Sequence, residues 1–214
     1  MTRNDALLGV VTTHAPAGFM ATPPAAFVGP QFFAKFASAT RACRGASLSP
    51  EGMADLARAG LGWLSDGAGV DLLLRVALLV LADRELAGPP MVDLADNCFR
   101  HGDNEERRAV LRALSLLTEP AGYVDIAAQA TRTSVATVFQ ALACENPFPA
   151  RHLPELNFNQ MVLKALFIEV PLPRVMGLGT RVTPELARMA EGYAAERRAA
   201  GRSVPADIGL LARS

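Results

Sequence analysis

Helix-start signals recur along the chain, and they constrain its fold more than any other feature of the sequence. Ser49 and Thr183 each stand directly before a proline, as a capping residue does before the first helical position. Asp103 is followed three residues later by Glu106, which is the spacing of a capping box. No segment alternates apolar and polar residues with the period of two that a half-buried strand requires. The sequence therefore predicts an all-α fold.

The predicted helices follow one another through short loops. In the middle of the chain, two helices with their loops take about 30 to 35 residues, although no residue motif recurs at that period. This spacing predicts an α-solenoid of HEAT-like antiparallel helix pairs, with an irregular helical bundle as the alternative. Residues 1–29 are predicted to form a loosely ordered N-terminal arm, with a short helix around residues 5–11 and a loose segment through Pro23 and Pro24. Residues 30–214 are predicted to form a single all-helical domain.

The charge balance argues against a nucleic-acid partner. The 214-residue chain has 21 Lys and Arg against 21 Asp and Glu, and no dense basic cluster beyond Arg197 and Arg198. Proteins that bind nucleic acid usually carry a basic face. The longest apolar run, residues 76–82, is far shorter than the roughly 20 residues that span a bilayer. We therefore expect a protein that does not itself span a membrane.

The cysteines and the first residues bear on location. Cys43, Cys98 and Cys144 are far apart in the sequence and odd in number, which indicates reduced thiols rather than disulfides. The N-terminus has only a short apolar run with an Asp ahead of it, unlike a secretory signal. The sequence therefore predicts a cytoplasmic protein.

The stretch 145–172 contains the most informative helix, which we expect to begin at Pro154 after a proline-rich turn. On this helix Asn157, Gln160 and Lys164 fall within about 60° of one another. The rest of the surface is apolar, which predicts a buried helix with a thin polar stripe. The apolar residues are Phe158, Met161, Val162, Leu163, Ala165, Leu166, Phe167 and Ile168.

Two interpretations of the polar stripe remain open. In the first, its side chains bond to loop backbone and hold the NPFP segment, residues 146–149, on the helix, since buried polar groups are normally satisfied internally. In the second, Gln160 and Lys164, with Asn159 nearby, line a pocket for an anionic or polyol ligand.

Other polar residues are candidates for the same pocket, each with a structural alternative. Glu145 and Asn146 either face the pocket or end a helix and begin a turn. Arg174 either binds an anion or is a solvated surface charge. Tyr193, Glu196 and Arg197 lie at positions i, i+3 and i+4 of the last long helix, where they form either a surface ion pair or a shared polar cluster. The predicted ligand-binding residues are Glu145, Asn146, Asn159, Gln160, Lys164, Arg174, Tyr193 and Arg197.

No catalytic or metal-binding motif is visible. The histidines are far apart and lack HxxxH spacing, so we expect no metal site and no cofactor. Asp93 and Asp96 give a DxxD on a helix, without the DDxxD of magnesium-dependent prenyl-diphosphate enzymes. Gly177 and Gly179 form a lone GxG without the strand of a dinucleotide fold. The sequence leaves the question of an enzyme open and leans against it.

Three runs of residues carry a family likeness. Residues 145–155 (ENPFPARHLPE), 157–167 (NFNQMVLKALF) and 185–205 (ELARMAEGYAAERRAAGRSVP) together resemble the EboA family, and the likeness extends more weakly to residues 31–41. The chain departs from the family pattern at Phe158, where that pattern has Trp, and in its short, Ala- and Pro-rich N-terminus. The resemblance implies an all-helical bacterial protein without established catalytic activity, linked to the traffic of secondary metabolites. It also implies partners: a membrane prenyltransferase, a sugar-phosphate-cyclase-like enzyme and hydrolase-type proteins.

These observations give three hypotheses of function. The first is a non-enzymatic cytoplasmic accessory protein of a secondary-metabolite biosynthesis and transport cluster, binding a small metabolite or its partner proteins between helices 154–169 and 184–200. The second is an enzyme acting on a prenylated or phosphorylated cyclic metabolite, with Glu145 as acid or base. The third is a protein–protein adaptor that uses the concave face of a solenoid.

Overall fold

The residues that the structure describes fold into helices, which confirms the predicted all-α class. The described residues form twelve α-helices and four short 3₁₀ helices, and no β-strand. They divide into two compact units, Met1–Ile126 and Ala127–Ser214. The structure, a computed structural model, describes residues 2–17, 19–20, 29–65, 68–86 and 88–212.

The first unit is built around one apolar helix. Its helices are α1 (Arg3–His14), α2 (Pro30–Ala42), α3 (Pro50–Arg58), α4 (Gly62–Ser65), α5 (Val70–Glu85), α6 (Pro89–His101) and α7 (Asn104–Ala113). A 3₁₀ turn (Pro120–Tyr123) then leads into α8 (Val124–Thr131), which ends in the second unit. Helix α5 contacts α1, α2 and α7 and buries eleven of its sixteen residues, so it forms the centre of the core.

Helix α5 carries a charged residue at its centre, and α2 supplies the partners for it. Arg75 is fully buried and donates to the Phe36 carbonyl at 3.0 Å and to the Thr40 hydroxyl at 2.9 Å. Its guanidinium also lies 3.2 Å from Asp71. A buried charge is tolerated only when it is paired and hydrogen-bonded, and Arg75 meets that condition within the first unit.

The N-terminal helix is longer than predicted. Helix α1 begins at Arg3 behind a capping box of Thr2 and Asp5, buries four residues and contacts α3 and α5. The predicted loose segment through Pro23 and Pro24 lies outside the described residues. The division into an arm (1–29) and one domain (30–214) therefore stays a prediction.

The second unit contains the stretch singled out by the sequence. Its helices are the end of α8, then α9 (Ala136–Ala143), α10 (Phe148–His152), α11 (Glu155–Phe167) and α12 (Pro184–Ala199). Three 3₁₀ turns complete it: Leu172–Arg174, Leu178–Thr180 and Ala206–Leu210. The side chains at its centre are large and apolar, which gives this unit a core of its own; they include Phe139, Phe148, Phe158, Met161 and Leu186.

Helices α11 and α12 run in the same direction. Near the start of α11, Glu155 accepts a hydrogen bond from the Thr183 hydroxyl. Near its end, the Leu166 carbonyl accepts one from the Tyr193 hydroxyl. Because the partners advance together along both helices, the pair is parallel. Residues 168–183 return the chain to the starting end of α11, and this return makes the parallel arrangement possible.

Local signals predicted three helix starts correctly. The side chains of Ser49, Asp103 and Thr183 each accept a hydrogen bond from a backbone N–H of the first turn. At the start of α9 the N-cap residue is Val135, although the preceding Ser134 is a residue type that often caps helices. The N–H of Val135 donates to the Thr133 hydroxyl at 3.2 Å, so a local turn delays the helix start.

The prediction that α11 is buried almost all round was also wrong. Phe158, Met161 and Leu166 are buried, but Leu156 and Phe167 are 63% and 65% exposed. These two residues lie in the first and last turns of the helix. Packing therefore covers the middle of α11 and leaves apolar surface at its ends.

Candidate ligand-binding site

Glu145 and Arg174 are brought together and bind each other. The backbone N–H of Glu145 donates to the Arg174 carbonyl at 2.8 Å. The guanidinium donates back through Nε at 2.8 Å and Nη2 at 2.9 Å, one bond to each carboxylate oxygen. Such a two-point pair is strong and geometrically specific. Both oxygens of the Glu145 carboxylate are therefore occupied, and only 18% of the side chain is exposed.

Asn146 builds the turn that follows. The residue is buried, its amide Nδ2 donates to the Ala141 carbonyl, and its Oδ1 accepts from the Phe148 N–H, both at 3.0 Å. The side chain thus ties the end of α9 to the start of α10. This geometry is the turn-building alternative of the sequence analysis.

Lys164 bonds to backbone, but not to the predicted segment. Its ammonium donates to the Thr131 carbonyl at 2.8 Å and the Thr133 carbonyl at 2.5 Å, and lies 4.7 Å from the centre of the Phe139 ring. A cation suits the carbonyl end of a helix, here α8. Burial lowers the pKa of Lys164. The lysine closes the turn after α8, whereas the sequence had linked it to the NPFP segment.

The other polar residues of α11 differ in how far they are exposed to solvent. Gln160 is exposed, Asn157 is half-buried and Asn159 is buried. The side-chain oxygen of Asn159 has no hydrogen-bond donor among the described residues. An unsatisfied buried oxygen costs about 1–3 kcal/mol, so this amide is a local weakness of α11.

Tyr193 and Arg197 form a second polar cluster, at the end of α12. Arg197 donates from Nη1 to the Tyr193 hydroxyl at 3.1 Å and from Nε to the Ser203 carbonyl at 2.5 Å. The Tyr193 hydroxyl in turn donates to the Leu166 carbonyl at 3.4 Å. Only 16% of the Arg197 side chain is exposed. These contacts fix the guanidinium in one orientation.

Arg197 forms part of a cleft of about 220 Å³, which we name the tail cleft. The walls come from the ends of α11 and α12, the loop after α11, and residues 203–207, which lead into the last 3₁₀ turn. Just over half of the lining residues are apolar, and the polar ones are Arg197, Ser203 and two acids. The lining residues are Leu166, Glu169, Val170, Pro171, Arg197, Ser203, Pro205, Ala206 and Asp207.

The guanidinium of Arg197 has bonding capacity left over. A guanidinium has five N–H donors, and in the described part of the chain only two of these hydrogen-bond. The carboxylate that pairs with this guanidinium is that of Glu169, whose oxygen lies 3.9 Å from Nη2 of Arg197. This distance is too long for a hydrogen bond. The tail cleft therefore presents a fixed cation with three N–H groups without an acceptor among the described residues.

The predictions missed Glu169 and Asp207. Asp207 accepts the Leu172 N–H at 2.9 Å, which holds the chain end against the loop after α11. Glu169 stands directly after a helix end at a positive φ of 59°. No local motif marks either residue, because the cleft is made by contacts between segments about 30 residues apart.

A cleft of the first unit is less suited to chemistry. Its volume is about 390 Å³, and it is lined by Phe33, Phe36, Cys98 and His101, among others. Burial, reinforced by the Glu106 charge, raises the pKa of Cys98 to about 12, so its thiol stays protonated near neutral pH. No group of three or more His, Cys, Asp or Glu within the described ranges could hold a metal ion. Among the helices of those ranges, none is both long and apolar enough to cross a bilayer.

Comparisons with known proteins give one result. No curated protein and no solved structure matches the chain. The family model described as metabolite traffic protein EboA matches residues 26–212, which includes every helix except α1. This match confirms the resemblance seen in the sequence. The chain belongs to the EboA family of metabolite traffic proteins.

Proposed function

We propose that the protein is a non-enzymatic accessory protein of metabolite traffic that binds a small metabolite in the tail cleft. The observation that carries this proposal is Arg197, which is mostly buried, held by Tyr193 and Ser203, and left with unused donors beside apolar walls. Ligand sites typically combine apolar lining with a few oriented polar groups. The cleft has that composition on a small scale.

Binding fits the side-chain chemistry better than catalysis does. Glu145, the candidate acid or base, has both carboxylate oxygens bound by Arg174. The ammonium of Lys164 is bound by two carbonyls. A guanidinium stays charged at any physiological pH, so Arg197 orients a ligand but does not exchange protons with it.

The proposal revises the predicted site. Tyr193 and Arg197 stay in it, and Glu169 and Asp207 join them. Glu145, Asn146, Lys164 and Arg174 become residues that hold the second unit together. Gln160 and Asn159 have no assigned part in ligand binding.

The setting of the proposed function rests on the sequence and on the family resemblance. Three scattered cysteines support a location in the reducing cytoplasm. The resemblance supports a bacterial protein encoded in a secondary-metabolite gene cluster, acting alongside a membrane prenyltransferase and the other cluster proteins. The size of the cleft supports a cargo that is small, or that enters by its polar end, because about 220 Å³ is below the range of typical drug-sized pockets.

Native mass spectrometry of the protein purified from its own host tests the proposal. We expect wild type to retain a non-covalent small molecule, Arg197→Ala to lose it, and Arg198→Ala to keep it. Arg198 is a matched control, because it is the next residue on α12, largely exposed and paired with Glu191. A molecule retained equally by all three variants, or by none, would contradict the tail cleft as the site.

A second candidate function is that of a protein–protein adaptor, favoured by the exposed Phe167 at the end of α11. Exposed aromatic side chains are frequent anchors of protein interfaces. The same preparations distinguish the two functions. An adaptor would arrive with a cluster protein attached, and Phe167→Ser would release that protein whereas Arg197→Ala would not.

A further inference from the structure

Glu169 occupies a backbone position that normally belongs to glycine. The Glu169 N–H donates to the Leu166 carbonyl and the Val170 N–H to the Ala165 carbonyl, which is the Schellman pattern of a helix end. The residue after the helix cap in this pattern has a positive φ, here 59°, which favours glycine. A side chain retained in such a position is a reason to look for a function.

The Glu169 carboxylate is loosely attached. Its side chain is 76% exposed, and its nearest cation, Nη2 of Arg197, is 3.9 Å away. Arg197 itself is held by two hydrogen bonds and is mostly buried. The cation is therefore fixed while its counterion can move. Asp207, the other acid of the cleft, accepts the Leu172 N–H at 2.9 Å and so is held in place.

We propose that the cargo carries an anionic group, a phosphate or a carboxylate, which replaces Glu169 as the partner of Arg197. This inference rests on the proposed function and names the ligand class of the same cleft. The planar guanidinium suits both groups, since it can donate two parallel N–H bonds to two oxygens of either one. Leu166, Val170 and Pro205 then contact the apolar part next to the anion. Glu169 is a displaced counterion that weakens binding and eases release.

Calorimetric titration of the full chain with hexyl phosphate tests the inference, and uncharged hexyl glucoside serves as the comparison probe. Removing one opposing charge about 4 Å away in water should change affinity about fivefold. We therefore expect Glu169→Gln to bind hexyl phosphate about fivefold more tightly than wild type. Gln keeps the size of the side chain and the same backbone strain, so folding is matched. Arg197→Ala should bind at least about tenfold more weakly.

Glu191→Gln is the control, because Glu191 is an exposed acid of α12 that pairs with Arg198 outside the cleft. It should leave the affinity for hexyl phosphate unchanged. The inference is overturned if Glu169→Gln does not tighten binding, if neither form binds hexyl phosphate, or if hexyl glucoside binds equally well. If wild type retains an uncharged molecule from the host and Arg197→Ala loses it, the claim that the cargo is anionic is overturned. The proposed function, binding of a metabolite in the tail cleft, would still stand. No retained molecule and no binding of either probe would overturn both.

Discussion

Two glutamates of the second unit share a positive φ and an arginine partner, and they differ in how that arginine is hydrogen-bonded. Glu145 and Glu169 each follow the end of an α-helix, and each has a positive φ, 42° and 59°. Each also has an arginine beside its carboxylate, Arg174 for the first and Arg197 for the second. The sign of φ and the type of charge partner are therefore the same at both sites, although the residue before Glu145 is extended and the residue before Glu169 is not.

The difference lies in how the arginine is used. Arg174 donates two hydrogen bonds to the Glu145 carboxylate, at 2.8 and 2.9 Å, and its carbonyl accepts a hydrogen bond from the Glu145 N–H. Arg197 donates its hydrogen bonds to Tyr193 and Ser203, and its Nη2 lies 3.9 Å from the nearest carboxylate oxygen of Glu169. An acid beside an arginine does not identify a binding site. A fixed arginine with a loosely held counterion is the arrangement that a ligand can enter.

The largest expected effect is a loss of stability at Asn146, in the turn directly after Glu145. Replacing Asn146 by Ala removes both bonds of a buried amide and leaves the Ala141 carbonyl and the Phe148 N–H without it. We expect a loss of about 2–3 kcal/mol in the free energy of unfolding, measured by urea denaturation. Asn157→Ala, at a half-buried position, should change stability by less than about 0.5 kcal/mol. Equal effects of the two substitutions would show that the turn does not depend on Asn146.

Lys164 gives the next effect. Lys164→Ala should cost about 1–2 kcal/mol, because the Thr131 and Thr133 carbonyls lose their donor and Phe139 loses a contact. Lys164→Met keeps the apolar stem beside Phe139 and removes only the ammonium, so it should lose about 1 kcal/mol. Urea midpoints measure both. If both variants have wild-type stability but lose a bound metabolite, Lys164 is a ligand-binding residue and not a structural one.

The sharpest comparison uses one substitution at two positions. Glycine relieves the left-handed strain, about 1–2 kcal/mol, but adds chain entropy to the unfolded state, about 0.4–1 kcal/mol, so the net gain is about 0.5–1 kcal/mol. At Glu169 only a largely exposed contact of 3.9 Å with Arg197 is lost, which contributes little to stability, so Glu169→Gly should stabilise the protein by about 0.5 kcal/mol. At Glu145 the two-point pair with Arg174 is lost, so Glu145→Gly should destabilise it by about 1 kcal/mol. Changes of the same sign in thermal or urea denaturation would mean that the two carboxylates do not differ as described.

The smallest expected effect on stability comes from Tyr193→Phe. The hydroxyl donates a long bond of 3.4 Å to the Leu166 carbonyl and accepts one from Arg197. Loss of the hydroxyl should change the free energy of unfolding by less than about 0.5 kcal/mol. It should also weaken hexyl phosphate binding severalfold, because Arg197 is then less well oriented. Calorimetry and urea denaturation measure the two effects. A large loss of stability with unchanged affinity would make Tyr193 part of the core rather than of the site.

Signals that act over a few residues were readable from the sequence. Ser49, Asp103 and Thr183 cap their helices as predicted, because a cap needs only its own first turn. Contacts between distant segments were not readable. Lys164 bonds to carbonyls 31 and 33 positions away, and the partner of Glu145 is 29 positions away.

The polar stripe of α11 shows why spacing alone could not define the site. Gln160 and Lys164 share a helix face, but the turn after α8 covers only the lysine. Arg197 was predicted from its spacing to Tyr193, and the structure adds the contact with Ser203 that fixes it. The opposite wall of the cleft comes from residues 203–207, and no pattern in the sequence indicates which side chains these residues contact.

Hydrogen–deuterium exchange of the protein with and without its bound metabolite tests the central claim, that the ligand site is the tail cleft and not the Glu145–Arg174 pair. Wild type carrying the molecule from its host would be compared with the same protein after the molecule has been removed. We predict slower exchange with ligand in residues 166–171 and 203–207, and unchanged exchange in residues 140–146. Protection of residues 140–146 and the segment around Arg174, with no change at the tail cleft, would contradict the account.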